Sequence, residues 1–296
     1  MAGIGGATVP VAQAYIADIT PPEKRAGNLG LIGAAFGLGF IFGPALGGIL
    51  APISAQAPGL AAAGLCLANG VLAFFLLPES LSKKEKEERD LGRKPFRLED
   101  FVIAIRSPIT ARILLLSFLF TAAFAAMQPT FPLFGAIRFG LDERHVGYLF
   151  AFLGTVSAIV QGGLVRRLVP VMGEVRLIQV SGLPFIAGLL AIAFAQSIGM
   201  LLLGLALLAM GFGGTLPSIA SLLSRVAPSE LQGSVLGIGQ SVGSLARIIG
   251  PTLAGIVYDL RGITWPYLGG AWVAGAAFLV ALTLRPQPRH GASSRG

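Results

Sequence analysis

Gln240, Ser244 and Arg247 stand at i, i+4 and i+7 in an otherwise apolar stretch, so on a helix they form one polar stripe. A stripe of an amide, a hydroxyl and a guanidinium binds polar solutes; it does not activate a nucleophile. Gln13, Asn69, Gln128 and Gln161 are further polar residues inside apolar runs and are candidates for the wall of the same cavity. Each of them alone is equally a partner for an interhelical hydrogen bond. The 14 carboxylates all fall between or at the ends of the apolar runs, Asp18, Glu174 and Asp259 among them. His145 and His290 lie outside those runs, and Cys66 is the single cysteine. A Ser/His/Asp arrangement, paired carboxylates or a metal cluster therefore has no material inside the runs, and no catalytic residue, metal site or cofactor is expected.

The elements that must position the stripe are membrane helices. Hydrophobic residues make up 54% of the 296 residues and charged ones 12%, with a mean hydropathy of +0.78. A soluble domain carries about 25% charge. Runs of about 20 apolar residues predict nine spans, at 1–18, 27–51, 58–78, 109–134, 146–166, 176–195, 198–222, 232–258 and 264–284. The expected fold class is an all-α polytopic membrane bundle. Pro129 and Pro132 beside Gln128 predict a bent or broken fourth span, and Phe118, Phe120, Phe124 and Phe131 are available for an aromatic wall or for packing.

Placing the connections alternately on two sides puts all but Arg138, Arg144, Arg247 and Arg261 of the 22 basic residues on one side. That side is expected to be cytoplasmic, with the C-terminal tail. The net charge of +8 is then topological, and no nucleic-acid partner is implied. The expected surroundings are a lipid bilayer, that of a cell (inner) membrane.

An internal repeat runs through the spans. LGLIGAAFGLGFIFGPALGGIL at 29–50 aligns without gaps with LGIGQSVGSLARIIGPTLAGIV, 207 residues later. Gly43 pairs with Gly250, Pro44 with Pro251 and Gly48 with Gly255. Repeated helix sets are how many secondary transporters are built. Residues 108–207 have no counterpart before Met1, and an odd number of spans puts Met1 on the far side from the tail. The expectation is a chain truncated at its N-terminus. Its partial first half covers 1–78, a charged linker 79–108, a six-helix second half 109–284 and a tail 285–296. A short interfacial helix is expected near 98–106.

Gly39-Phe-Ile-Phe-Gly43-Pro44-Ala-Leu-Gly47-Gly48 resembles the GxxxGPxxGG antiporter motif of the major facilitator superfamily. AYIADITPPEKRAGNLG at 14–30 and FLLPES at 75–80 resemble the segments that flank that motif in the tetracycline-resistance branch of the twelve-helix drug/proton antiporters. The resemblance covers the chain as helices four to twelve. It implies two six-helix halves around a midplane cavity, alternating access, a small-molecule substrate, a proton gradient as energy source, and a full-length protein that works as a monomer. Gly162-Gly-Leu-Val-Arg166-Arg167 with Gly173-Glu-Val-Arg176 resembles the second-half copy of the family's cytoplasmic loop signature, with Arg166 where an acid is expected. Asp18 and Arg25 flank the 4–5 loop, where they either join a cytoplasmic charge network or belong to a simple solvated loop.

In physical terms, Gly39, Gly43 and Gly47 are spaced by four and give a flat face for close helix approach, while Pro44 removes a backbone hydrogen bond. Such a segment suits a seal between halves or plain tight packing.

Three function classes follow from this reading. The first is secondary transport, namely proton-coupled export of a drug-like compound, with tetracyclines among the candidates. The second is uptake or facilitated transport by the same fold. The third is a non-transporting truncated product. Proton coupling needs a titratable group within the membrane, and the carboxylates lie between the spans or at their ends, with Asp18 and Asp259 the two that could reach inward.

Overall fold

A computed structural model describes residues 53, 54, 56–77, 107–226 and 232–285, with scattered helical positions between 12 and 50. The regular elements among them are all helical: α1 (Ala57–Leu76), α2 (Pro108–Phe139), α3 (Glu143–Ile159) with a π turn (Val160–Val165), α4 (Arg166–Ala193), α5 (Ile198–Val226), α6 (Gln232–Arg261) and α7 (Trp265–Leu282). Six helical runs among the described residues are long and apolar enough to cross a membrane. One of them, Glu143–Ala193, holds two of the expected spans. The spans expected at 1–18 and 27–51 lie largely outside the described residues, as do the linker through residue 106, the interfacial helix near 98–106 and the tail beyond 285.

Local chemistry sets the helix ends. Pro108 and Pro266 open α2 and α7, where a missing N–H costs nothing. Gly140, at φ 65°, closes α2 in the left-handed conformation, and Leu141 N–H reaches back to Gly135 O. Asp142 caps α3 through a 2.8 Å bond from the backbone N–H of His145. That bond is the main reason its carboxyl is held below the usual carboxylate range, and the His145 ring adds a 2.7 Å contact. Leu77 leaves α1 in the extended conformation that the following Pro78 favours.

Two features of the path differ from the simplest expectation. α2 runs continuously through Pro129 and Pro132 and is not broken there. The break falls in α4 at Gly173, whose φ of 80° and ψ of 163° suit only glycine. The two expected spans in Glu143–Ala193 are separated by that glycine.

α2 to α7 pack into one bundle. The α4–α5 interface is the most extensive, followed by α6 on α2 and by α7 on both α2 and α4. Lipid tails are as apolar as leucine, so the association rests on close packing of small residues. A Cβ on Gly188 would strike the backbone of Leu208; on Gly211, Phe185; on Gly214, Ser181; and on Gly204, Ile192. The pairs step in opposite directions along α4 and α5, which fixes an antiparallel register. α6 lies parallel to α2. A Cβ on Gly250 would stand 2.5 Å from Ala122 O, and one on Gly239 would stand 4.0 Å from Leu114. Ile113, Leu116, Phe120, Phe131, Phe134, Phe185 and Tyr267 fill the core. Phe120 meets Phe185 edge-on at 5.3 Å and Phe131 meets Phe150 at 5.2 Å, so these phenylalanines pack helices together. α1 buries no residue against the described parts of the chain.

Candidate functional site: the polar stripe of helix α6

α6 has two faces of different chemistry. Gly243, Ala246, Gly250 and Ala254 are buried and give a face of small residues, whose Gly250 meets α2. Ser244 and Arg247 are exposed, and Gln240 is half-buried. Helical periodicity brings the three to one side, as their spacing requires. Ser244 donates to Gln240 O at 3.0 Å, and Arg247 Nη2 donates to Ser244 Oγ at 3.3 Å. Arg247 Nη1 lies 3.6 Å from where a Cβ on Gly243 would stand. The guanidinium is thus folded back along the helix toward Gln240. Thr252 and Ser241 satisfy their own hydroxyls on the carbonyls four residues earlier.

The remaining candidates do not join the stripe at one level. Parallel packing of Gly239 on Leu114 and of Gly250 on Ala122 sets Arg247 level with residues near 119–120 of α2. Gln128 is half-buried and sits roughly 12 Å further along the axis at 1.5 Å per residue. Its neighbour one turn back, Phe124, stacks on Phe212 of α5 at 3.7 Å and ties the two helices together. Gln161 lies in the π turn, half-buried, and donates to Ser157 Oγ at 3.0 Å. π turns recur at functional positions of helices. α5 passes close by, since a Cβ on Gly213 would stand 3.1 Å from Val160 and 3.2 Å from Ser157 O. Asn69 is exposed on α1.

Among the antiporter-motif residues, Gly39, Gly43 and Gly47 are helical, and no described atom lies within 4 Å of a Cβ added to any of them. Pro44 and Gly48 lie outside the described residues, as do Gln13, Asp18 and Arg25. In the repeat of the motif, Gly250 is in tight contact, Pro251 is half-buried, and Gly255 has open space around it. Arg166, Arg167 and Arg176 are exposed.

Sequence reasoning missed the best-developed charged contact. Glu174 begins the helical segment after the Gly173 break and is 8% exposed. Its carboxylate accepts from Arg225 Nη1 at 2.8 and 3.2 Å and from Ser221 Oγ at 3.0 Å. The antiparallel register of α4 and α5 places Ser221 opposite Glu174, and Arg225 one turn further on. Two other long-range contacts also went unread. Gln179 donates to Ala281 O at 2.9 Å at the end of α7, and Arg138 Nε donates to Ala195 O at 3.3 Å. No group of three or more metal-ligating side chains occurs among the described residues.

The profile of the Major Facilitator Superfamily matches residues 1–251 and 171–296. The chain belongs to the major facilitator superfamily. It is 35% identical over 297 residues to the tetracycline resistance protein, class C, of Escherichia coli, covering 100% of this chain and 73% of that one. It is 31% identical to multidrug resistance protein 2 of Bacillus subtilis (strain 168), over 96% of this chain and 70% of that one. Among solved structures it is similar to the human organic anion transporter MFSD10 (TETRAN). The TM-score is 0.73 at 27% sequence identity, over 92% of this chain and 67% of that one. This superfamily chain is accordingly a multi-pass membrane transporter.

Proposed function

We propose that this transporter exports a small amphipathic, drug-like compound by proton-coupled alternating access, from a cell membrane in which the C-terminal tail is cytoplasmic. The observation that carries the reading is the Gln240–Ser244–Arg247 stripe, a mid-helix row of polar groups on a face that α2 does not cover. A row this polar is costly against lipid and suits a solute pathway. The identity to tetracycline and multidrug resistance proteins supports export of a drug-like solute. In this reading Gln128 and Gln161 border the pathway at other depths, Gln13 and Asn69 belong to the first-half wall, and the glycines of the antiporter motif limit leak between halves.

A second reading, facilitated transport without proton coupling, is favoured by one observation. The carboxylates lie between the apolar spans or at their ends, and Glu174 is already engaged by Arg225 and Ser221. One experiment separates the two. The chain is expressed in a drug-sensitive host without its own efflux pumps, membrane insertion is verified, and accumulation of a panel including tetracyclines is followed with and without an uncoupler. Export that collapses with the uncoupler is expected. Export that persists selects the facilitated reading, and increased accumulation selects uptake. Unchanged accumulation of every compound by inserted protein overturns both.

A further inference from the structure

Among the described residues no carboxylate pairs with Arg247. It stands 15 residues from Gln232 and 14 from Arg261 in α6, so about 20 Å of helix separates it from either end. Arg247 therefore stands near the middle of α6, well away from both of its ends. A guanidinium at such a depth costs about 2.5–3.5 kcal/mol on insertion scales unless something compensates it. Among the described residues its hydrogen-bond partner is a neutral one, Ser244 Oγ at 3.3 Å. The Arg247–Ser244 contact uses one of the five N–H donors of the guanidinium.

The surroundings hold this charge in place without neutralising it. Gly243 leaves room for Nη1 to lie along the helix, 3.6 Å from the position of an added Cβ. Ser244 turns its hydroxyl proton to Gln240 O, which leaves its lone pairs toward Arg247. Gln240, half-buried one turn further back, extends the row of polar groups along the same side. The result is a planar fork of donors on an exposed face, held by a neutral neighbour. Such a fork matches the two oxygens of a carboxylate or sulfonate and is a poor site for a cation.

We infer that Arg247, positioned by Gly243 and Ser244, binds the oxyanion of the transported solute, so that the substrate class is amphipathic organic acids. The inference rests on the transport reading above. The solute anion supplies a counter-charge to the fixed guanidinium, so that the bound pair is neutral within the low-dielectric region. A cationic drug of equal size and hydrophobicity has no such partner on α6.

The test uses the 296-residue chain in lipid nanodiscs and two fluorescent probes of similar size, fluorescein as the organic acid and ethidium as the cation. Binding is read by polarisation, and fold by thermal unfolding. The wild-type chain should bind fluorescein about tenfold or more tighter than ethidium. Arg247→Gln should lose about tenfold or more for fluorescein and leave ethidium within about twofold. Arg247→Lys should recover part of the fluorescein affinity, because it restores charge without the fork. Gly243→Leu, which displaces the guanidinium, should reproduce the selective loss. Fluorescein binding that is absent in the wild type, unchanged in Arg247→Gln, or lost equally with ethidium in a folded Arg247→Lys protein overturns the inference. The export reading fails separately: proteoliposomes whose protein binds fluorescein through Arg247 but moves no fluorescein along a proton gradient keep this site and remove proton-coupled export.

Discussion

Arg225 grips both oxygens of Glu174 at 2.8 and 3.2 Å across 51 residues of chain, pinning the end of α5 to the first turn after the Gly173 break. Glu174 is nearly buried while the Arg225 side chain is more than half exposed. Removing the cation strands a desolvated carboxylate; removing the carboxylate frees a cation that water can reach. Arg225→Ala should therefore be more damaging than Glu174→Gln. The expected cost is about 1–3 kcal/mol, discounted from fully buried pairs for the exposure of Arg225. Thermal unfolding in nanodiscs would show the order. A charge-swapped Glu174→Arg/Arg225→Glu protein that regains stability would mark the contact as a true pair.

Glycines of α4 and α5 should separate sharply by position. Gly188→Ala drives a methyl into the backbone of Leu208 and Gly204, and Gly211→Ala into the backbone and Cβ of Phe185. Overpacking of this kind costs about 1–3 kcal/mol or more. Gly237→Ala on α6, with open space at its Cβ among the described residues, should be neutral or slightly stabilising. Yields of monodisperse protein and unfolding midpoints would check the contrast.

Tyr267 is fully buried beside Thr130, whose hydroxyl turns back to Ala126 O and Met127 O. Among the described residues the Tyr267 hydroxyl makes no hydrogen bond, while its ring meets Phe134 at 5.0 Å. Tyr267→Phe keeps the ring and removes an unsatisfied polar atom. The midpoint should stay level or rise, by up to about 1 kcal/mol of stability. A clear loss would mean that the hydroxyl has a partner in the membrane.

Solute contacts on α6 should respond by level. Gln240→Ala and Ser244→Ala should weaken substrate affinity about two- to tenfold, the range of one lost hydrogen bond, with the fold intact. Gln128→Ala, roughly 12 Å along the axis, should leave the affinity for the same small substrate close to wild type. Equal effects at Gln128 and Ser244 would mean a solute long enough to bridge both levels.

The Asp142 cap gives a pH-dependent contribution. Its carboxyl titrates below the usual range, chiefly because the His145 backbone N–H bonds the charged form. Stability from this cap is present above the ordinary carboxylate range and is lost as the pH falls through the depressed folded value. The difference in unfolding midpoint between wild type and Asp142→Ala should be full at neutral pH and shrink in acid, and Asp142→Asn should retain much of it without the pH dependence.

The spans from residue 58 onward and the one-sided row on α6 were legible because both depend on local spacing. An apolar run long enough to cross a bilayer needs no tertiary information, and i, i+4, i+7 brings Gln240, Ser244 and Arg247 to one side in any helix. What was not legible depends on which helices meet. With 41 glycines in the sequence, nothing local marks Gly188, Gly204, Gly211 and Gly214 as one seam. Glu174 and Arg225 read as loop and span-end charges until the antiparallel register of α4 and α5 brings them together. The continuity of α2 through two prolines likewise reflects packing around Phe131 and Phe134, which proline statistics alone do not contain.

The π turn at Val160–Val165 has a genetic corollary. A π turn holds one more residue than the α-helical path it replaces. This stretch of the gene therefore carries a surplus codon, and Gly162 and Gly163 are its natural location because neither has a described neighbour within 4 Å of a Cβ. Deleting one of them would let the segment wind as ordinary helix and leave the register of everything beyond it unchanged, because the π turn already absorbs the extra residue. The cost would then be confined to the turn itself, and the Ser157–Gln161 pair would keep its spacing.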